Sequence, residues 1–281
     1  MTRGRSVLPW QRPDAADART DALKGDRQGV LLEPAYTQRG MNMRYELFYW
    51  PGIQGRGEFV RLALEAAAAP YSDVARESGR GEGVDAMLRL MSEAEHAPFA
   101  PPFLRAGKVL VAQTANILLY LGPRLGLAPK SEAVRLWAHQ LQLTVTDFVA
   151  EIHDTHHPIA GSLYYKEQED EALRRSRCFL SERLPKFLGY FERAIENNGS
   201  ARGHIVGRSL SYVDLSMFQL MAGLRYAFPH SMSRRRRYYP RLDALHDRVM
   251  ANPNVSAYLA SGRRIPFNED GIFRCYPELE Q

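Results

Sequence analysis

The sequence predicts an α/β domain followed by an all-helical one, and three observations carry that reading. Short apolar runs of strand type alternate with helix-patterned stretches over residues 41–123. The stretch Gly122-Pro123-Arg124-Leu125-Gly126-Leu127-Ala128-Pro129 then interrupts helical periodicity with glycine and proline. Beyond it the apolar residues Val134, Leu136, Trp137, Leu141, Val145, Phe148 and Ile152 recur at three and four spacing, and Phe179, Leu184, Phe187, Leu188, Phe191 and Ile195 do so again. With 281 residues, 45% of them hydrophobic and 25% charged, the chain is long enough to build a sizeable core in two domains.

Taken in order, Tyr45–Trp50 predicts a strand, Pro51–Gly55 a loop and Arg56–Ala69 a helix. A second strand is predicted at Tyr71–Ala75 and a second helix at about Val84–Met91. Two apolar runs then flank a tight turn at Ala106-Gly107-Lys108, and the polar pair Gln113-Thr114 opens a helix through Ala115, Ile117, Leu118 and Leu121. This β-α-β-α-β-β-α order suits a small thioredoxin-like N-terminal domain at 41–123. Residues 124–130 are assigned as a linker, and 131–281 as the all-α C-terminal domain. Within the latter, Ser211-Tyr212-Val213-Asp214 reads as a capping box, in which a hydroxyl and a carboxylate satisfy the free N–H groups of a helix start.

Composition excludes several function classes. No run approaches eighteen apolar residues, so no membrane span is expected. Cys178 and Cys275 form no metal or redox motif, which suits a reducing cytoplasm. Residues 1–40 mix seven basic with five acidic residues without periodicity; they are expected to be a disordered extension, with the functional start at Met41 or Met43. A net charge of +5 and the run Arg234-Arg235-Arg236-Arg237 beside Tyr238-Tyr239 invite a nucleic-acid reading. That run lies between Phe228-Pro229 and Pro240 without a further basic stripe, so a solvated interhelical loop and no nucleic-acid partner are expected.

The chemistry concentrates at two helix starts. Helix N-termini expose unpaired N–H groups and a positive dipole end, so Gln113 and Thr114 would add side-chain donors to a place already disposed to bind a carboxylate; simple capping by Thr114 is the alternative. Strand alternation puts Tyr45, Leu47 and Tyr49 on one face, with Tyr49 at the strand's C-terminal end, where ligands of open α/β sheets gather. A neutral phenol there would donate a hydrogen bond that favours a thiolate over a thiol. Tyr45, at the strand's start, is the weaker rival.

At these residues the chain resembles the cytosolic glutathione transferases, among them the tyrosine-using classes and nearest to sigma, as a bacterial-type member. Tyr49 followed by a loop and Arg56-Gly57-Glu58, and Pro102 followed by a hairpin and Gln113-Thr114, carry the resemblance, which runs from about Arg44 to about Arg264. It implies that Tyr49 ionises the thiol of glutathione as co-substrate, that Gln113 and Thr114 hold the γ-glutamyl end, and that Pro102 is cis. It further implies that Pro101 faces the cysteinyl unit, that Arg56 supports Tyr49 or the ligand's charges, and that Asp147 reaches across a homodimer. The thiolate would then attack a small hydrophobic electrophile, in a pocket of helical side chains covered by the segment Ile265–Tyr276 with Phe267, Phe273 and Tyr276.

Two positions depart from the family's pattern. Pro101 has no N–H to donate to the ligand. Residues 76–99 contain neither Trp nor Lys for the glycine carboxylate, leaving Arg76, Arg80, Arg89 or His96. A non-catalytic glutathione-binding module and a glutathione-dependent isomerase are the alternatives on the same fold. His153-Asp154-Thr155-His156-His157 has metal-like spacing, but Pro158 ends the helix and no cysteine accompanies it, so a polar pocket wall or a helix end is expected and no metal.

Overall fold

The structure, a computed structural model, describes residues 44–200 and 202–280. The expected extension over 1–40 and the start at Met41 or Met43 lie outside the described residues. Four strands, β1 (Tyr45–Phe48), β2 (Tyr71–Asp73), β3 (Phe103–Ala106) and β4 (Val109–Ala112), form one mixed sheet in the order β2-β1-β3-β4. β1 runs parallel to β2 and antiparallel to β3, and β3 and β4 make the expected hairpin, turning through Gly107 at φ +62°, which glycine adopts without strain. β1 stops at Phe48, so Tyr49 lies just past the strand rather than inside it. The second strand is also shorter than its sequence suggests, because the chain turns as a 3₁₀ segment over Val74–Arg76 just after Asp73 meets Arg61.

Helix α1 (Gly57–Ala66) explains how the two halves of the molecule join. Phe59, Leu62, Ala63 and Ala66 follow helix spacing and enter the core shared with the helical domain, whereas Val60 and Leu64 pack on the sheet. The third face, Glu58, Arg61 and Glu65, is buried too, so all ten residues are out of water. α2 (Gly83–Glu93) covers the other face of the sheet, where Met87 packs with Phe48 and Phe103.

α3 (Thr114–Arg124) continues through the stretch read from the sequence as the start of an interruption. Pro123 falls in its last turn, and Leu125 and Leu127 still donate to the carbonyls of Leu121 and Gly122. Gly122 is a contact point rather than a breaker: a Cβ there would lie 2.8 Å from the Tyr212 ring.

From Glu132 onward the chain is helical: α4 (Glu132–His153), α5 (Glu169–Cys178), α6 (Leu184–Asn198), α7 (Tyr212–Ala227), α8 (Pro229–Arg235), α9 (Pro240–Met250) and α10 (Pro253–Leu259). The architecture is therefore the predicted α/β thioredoxin-like domain with an all-α C-terminal domain. α7 is buried on nearly every face and packs against α1, α4, α8 and α9. Its start is fixed by the predicted capping box: the Ser211 hydroxyl accepts from Asp214 N–H, and the Asp214 carboxylate accepts from Ser211 N–H at 2.7 Å and from Ile205 N–H at 2.9 Å. The arginine run, expected in a loop, instead closes α8 and a 3₁₀ turn over Arg236–Tyr238. Among the described residues no helix is long and apolar enough to cross a membrane.

Candidate active site

Strand register places three of the predicted residues together. Phe48 pairs with Phe103, and Phe103 with Ala112, so one step further on Tyr49, Pro102 and Gln113 leave the sheet side by side at the same end. Neighbouring strands are about 4.8 Å apart, so these backbones span about 10 Å, the reach of one extended tripeptide. The Pro101–Pro102 peptide bond is cis.

Tyr49 turns back onto the start of α1. Its hydroxyl oxygen accepts from the Arg56 N–H at 2.8 Å, one of the donors a helix start leaves unpaired. Accepting there leaves the phenolic O–H free to donate elsewhere. Burial raises the Tyr49 pKa, against the opposing pull of the Arg56 N–H and the Arg56 and Arg61 charges, so the group stays a protonated donor at neutral pH. The side chain is 4% exposed. This approach requires glycine on both sides: a Cβ on Gly55 would lie 2.0 Å from the Tyr49 oxygen, and one on Gly57 2.5 Å from the ring. Sequence reading passed over both glycines, whose signal was their spacing around Arg56.

Gln113 and Thr114 do not cap α3 with their side chains. Gln113 occupies the cap position with no side-chain bond, at φ +68° and ψ +121°, an unfavourable conformation for a residue with a Cβ, and its side chain is exposed. The Thr114 hydroxyl is buried with no hydrogen-bond partner. The simple capping alternative is therefore overturned: the backbone is strained and two polar groups are left uncommitted, in a place where a satisfied cap would have avoided both.

Arg56 and Thr114 line one small crevice of about 20 Å³ between α1, α3 and α4, together with Gln142 and Thr146. Gln142, also missed in the sequence, accepts from Ser216 at 2.8 Å and leaves its buried amide nitrogen unpaired. Asp147 is not in this crevice; it is exposed on α4, on the stripe that carries Leu136 and Leu143. Of the residues weighed for the glycine carboxylate, Arg76 is engaged, donating to Asp73 at 3.4 Å and to the Arg263 carbonyl at 2.7 Å.

Residues 153–262 match the family model described as glutathione S-transferase, C-terminal domain. A glutathione S-transferase of Plasmodium falciparum (isolate 3D7) is 24% identical over 220 residues, covering 76% of this chain and 95% of that protein. Glutathione S-transferase P 1 of Xenopus laevis is 28% identical over 221 residues, covering 78% and 93%. Sequence and fold together support the glutathione S-transferase family. In the solved structure of prostaglandin synthase D of Nilaparvata lugens the fold recurs with a TM-score of 0.61 at 23% identity, over 79% of this chain and all of that one.

In this glutathione S-transferase-like chain the C-terminal segment is held at both ends. Phe267 stacks on Tyr226, Phe273 sits against Gly223, and Tyr276 stacks on Tyr165, while Phe267 and Phe273 also line a crevice with Gln54 and Gly55, next to Tyr49. Polar contacts reach the Tyr49 loop as well. Gln54 donates to the Ile265 carbonyl at 2.5 Å and accepts from Gln219 at 2.7 Å, and Asn268 donates to the Gly52 carbonyl at 2.9 Å.

Beneath them lies a buried charge network that the sequence did not announce. Arg61 donates to Asp73 at 2.7 Å and to Glu58 at 3.3 Å, and Glu58 also accepts from Tyr258 at 2.9 Å and from Arg264. The three histidines gather at the end of α4 with ring centroids about 5 Å apart. Burial first, and then the Arg56 charge, hold His153 below its ordinary value. Among the described residues no group of three or more His, Cys, Asp or Glu is arranged to hold a metal ion.

Proposed function

We propose that this protein is a tyrosine-type glutathione transferase, nearest to sigma and of bacterial type. It ionises the glutathione thiol at Tyr49 and passes the thiolate to a small hydrophobic electrophile in the cytoplasm. The observation that carries the proposal is the Tyr49 hydroxyl, which accepts from the Arg56 N–H at 2.8 Å and keeps its own proton for a sulfur. A thiol of pKa about 8.5 is mostly protonated at pH 7, and lowering it by about two units needs roughly 2.7 kcal/mol of preferential stabilisation of the anion. A phenolic donor and the N-terminal dipole of α1 are chemically suited to supply it.

In this reading the exposed Gln113 and the unpaired Thr114 hydroxyl take the γ-glutamyl end, Pro101 and Pro102 border the cysteinyl unit, and Arg56 supports the charges. Pro101 offers a carbonyl but no N–H, so one backbone bond to the tripeptide is missing. The electrophile is not held within the 20 Å³ crevice, which has room for one small group only. The proposed domain limits remain 41–123, 124–130 and 131–281.

The working form is proposed to be a homodimer. Phe99 is 93% exposed, and Leu136 and Leu143, 64% and 47% exposed, share the α4 stripe with Asp147. A two-fold partner covering this stripe would bury the leucines and bring Asp147 to the neighbouring copy's ligand. Sedimentation is expected to show a dimer, and Leu136→Glu with Leu143→Glu a monomer; a wild-type monomer at micromolar concentration would contradict it. The function itself is tested by incubating the protein with glutathione and a chloronitrobenzene. Carbon–sulfur bond formation with release of chloride is expected; saturable glutathione binding without turnover would instead support the non-catalytic module.

A further inference from the structure

The crevice between α1, α3 and α4 is lined by two residues with buried polar groups that no protein atom satisfies. Gln142 is 1% exposed and its Nε2 has no acceptor, and the Thr114 Oγ1 is buried with neither a donor nor an acceptor. Burying such groups unpaired is costly, and in folded proteins a protein atom or an ordered water answers nearly all of them. Phe59 and two valines of α4 give the crevice apolar walls, so Gln142, Thr114 and Thr146, with Arg56 at its border, supply the polar chemistry.

The hydrogen bonds already present fix which end of each group is free. The Ser216 hydroxyl donates to Gln142 Oε1 at 2.8 Å, which holds the amide with its oxygen toward α7 and leaves Nε2 as the unpaired donor. The Thr146 hydroxyl donates to the Gln142 carbonyl at 3.1 Å, so its oxygen can still accept. Three groups, one donor and two acceptors, therefore meet one small volume. At about 20 Å³ that volume exceeds the roughly 10–15 Å³ one water needs, and buried waters make about three hydrogen bonds each.

We propose that one ordered water occupies this crevice, accepting from Gln142 Nε2 and donating to the Thr114 and Thr146 hydroxyls, and that Gln142 is thereby a positioning residue for Thr114. This role rests on the reading above, in which Thr114 holds the γ-glutamyl end of glutathione. With its oxygen accepting from the water, the Thr114 hydroxyl keeps its own proton for the ligand carboxylate, and a donor oriented beforehand loses less freedom on binding. A relay of Ser216, Gln142, water and Thr114 thus runs from the buried α7 to the start of α3. Gln142 touches neither the thiol nor the electrophile, so it governs glutathione affinity and leaves the chemical step alone.

The test measures KM for glutathione and kcat of the full chain with a chloronitrobenzene, in wild type, Gln142→Met, Thr114→Val and the double variant, beside a crystal structure of the free protein. Methionine keeps the length of the glutamine side chain and loses the donor. Gln142→Met is expected to raise KM about five- to tenfold with kcat at saturating glutathione within about twofold, and to add less than about twofold once Thr114→Val is present, because either change breaks the same relay. Ser216→Ala frees the amide from α7 and is expected to raise KM more mildly, about two- to threefold. The crystal structure is expected to show a water within about 3.2 Å of both Gln142 Nε2 and Thr114 Oγ1. Additive rises in KM, a fall in kcat with KM unchanged, or no water at that position would overturn the proposal while wild-type conjugation stands. A wild type that neither binds nor turns over glutathione would overturn the transferase reading itself, and with it this role.

Discussion

At the residue scale, one phenol and the two glycines beside it decide what the site can do. Glycine at the first turn of a helix normally costs about 0.5–1 kcal/mol relative to alanine, so Gly57→Ala would stabilise most helices. Here the added Cβ would lie 2.5 Å from the Tyr49 ring, and the sign reverses. Gly57→Ala is expected to destabilise by about 1–3 kcal/mol in urea unfolding, because a packed ring has to move. A gain in stability would show that Tyr49 does not lie against α1. Tyr49 itself was legible in the sequence, because a tyrosine at a strand's end before a helix start has an obvious place. The glycines were not, because their need arises only when the ring folds back over the loop that follows it and onto the start of α1. Gln113 shows the same limit from the other side: a polar residue before an apolar helix reads as a cap, and only the backbone angle, φ +68°, reveals that it is held in strain.

At the scale of elements, α1 is the hinge between two cores, and its polar face is stabilised by charges rather than by water. Arg61 is fully buried between Glu58 and Asp73, so Arg61→Met leaves Glu58 to Tyr258 and Arg264 and Asp73 to the long contact with Arg76, and is expected to cost about 3 kcal/mol. Arg105 and Glu46, 2.5 Å apart across β1 and β3, are 41% and 32% exposed, and Arg105→Ala is expected to cost under about 1 kcal/mol. Equal losses in the two variants, measured by chemical denaturation, would contradict this ranking. Every one of the strands and helices predicted for the α/β half is present, because period-two and period-3.6 patterns follow directly from which face meets the core. What pattern could not show is that the polar face of α1 is covered by α10 and the residues after it, from 200 and 206 positions away. The arginine run was misplaced for a related reason. Arg234, Arg236 and Arg237 are exposed, as a solvated run should be, but the run closes α8 instead of forming a loop, where Asp243 and two main-chain carbonyls hold Arg235 and Arg236.

Over the whole molecule, the tail after α10 ties both domains together and makes stability depend on pH. His156 is buried, lies 2.8 Å from the Ile272 carbonyl through Nε2 and 2.5 Å from His157 through Nδ1, and has Arg274, His153 and His157 as its charged or titratable neighbours. Burial pushes its pKa down to about 3, whereas the unfolded histidine takes up a proton near 6.5. The unfolded chain therefore binds more protons in that window, and stability falls as the pH drops below about 6.5, by about 1.4 kcal/mol per pH unit from this residue. Urea midpoints at pH 6.5 and 5 are expected to show the decline and His156→Gln to remove part of it, because burial also pushes the His157 pKa down to about 4; a wild-type midpoint unchanged over that interval would contradict the burial. At this scale the sequence conveyed the two-domain plan and the segment Ile265–Tyr276 as a cover, but not the partners of that segment, because Ile265 and Ile272 are held through main-chain carbonyls that carry no residue-type signal. Strap, helix and sheet end all converge on the Tyr49 phenol, and the pH titration of bound glutathione by ultraviolet thiolate absorbance, in wild type and Tyr49→Phe, tests its proposed role most directly. The wild-type thiol is expected to ionise about two units below its ordinary value of about 8.5, and that of Tyr49→Phe to return close to it. A Tyr49→Phe protein that still ionises bound glutathione at the wild-type pH would contradict the proposed mechanism.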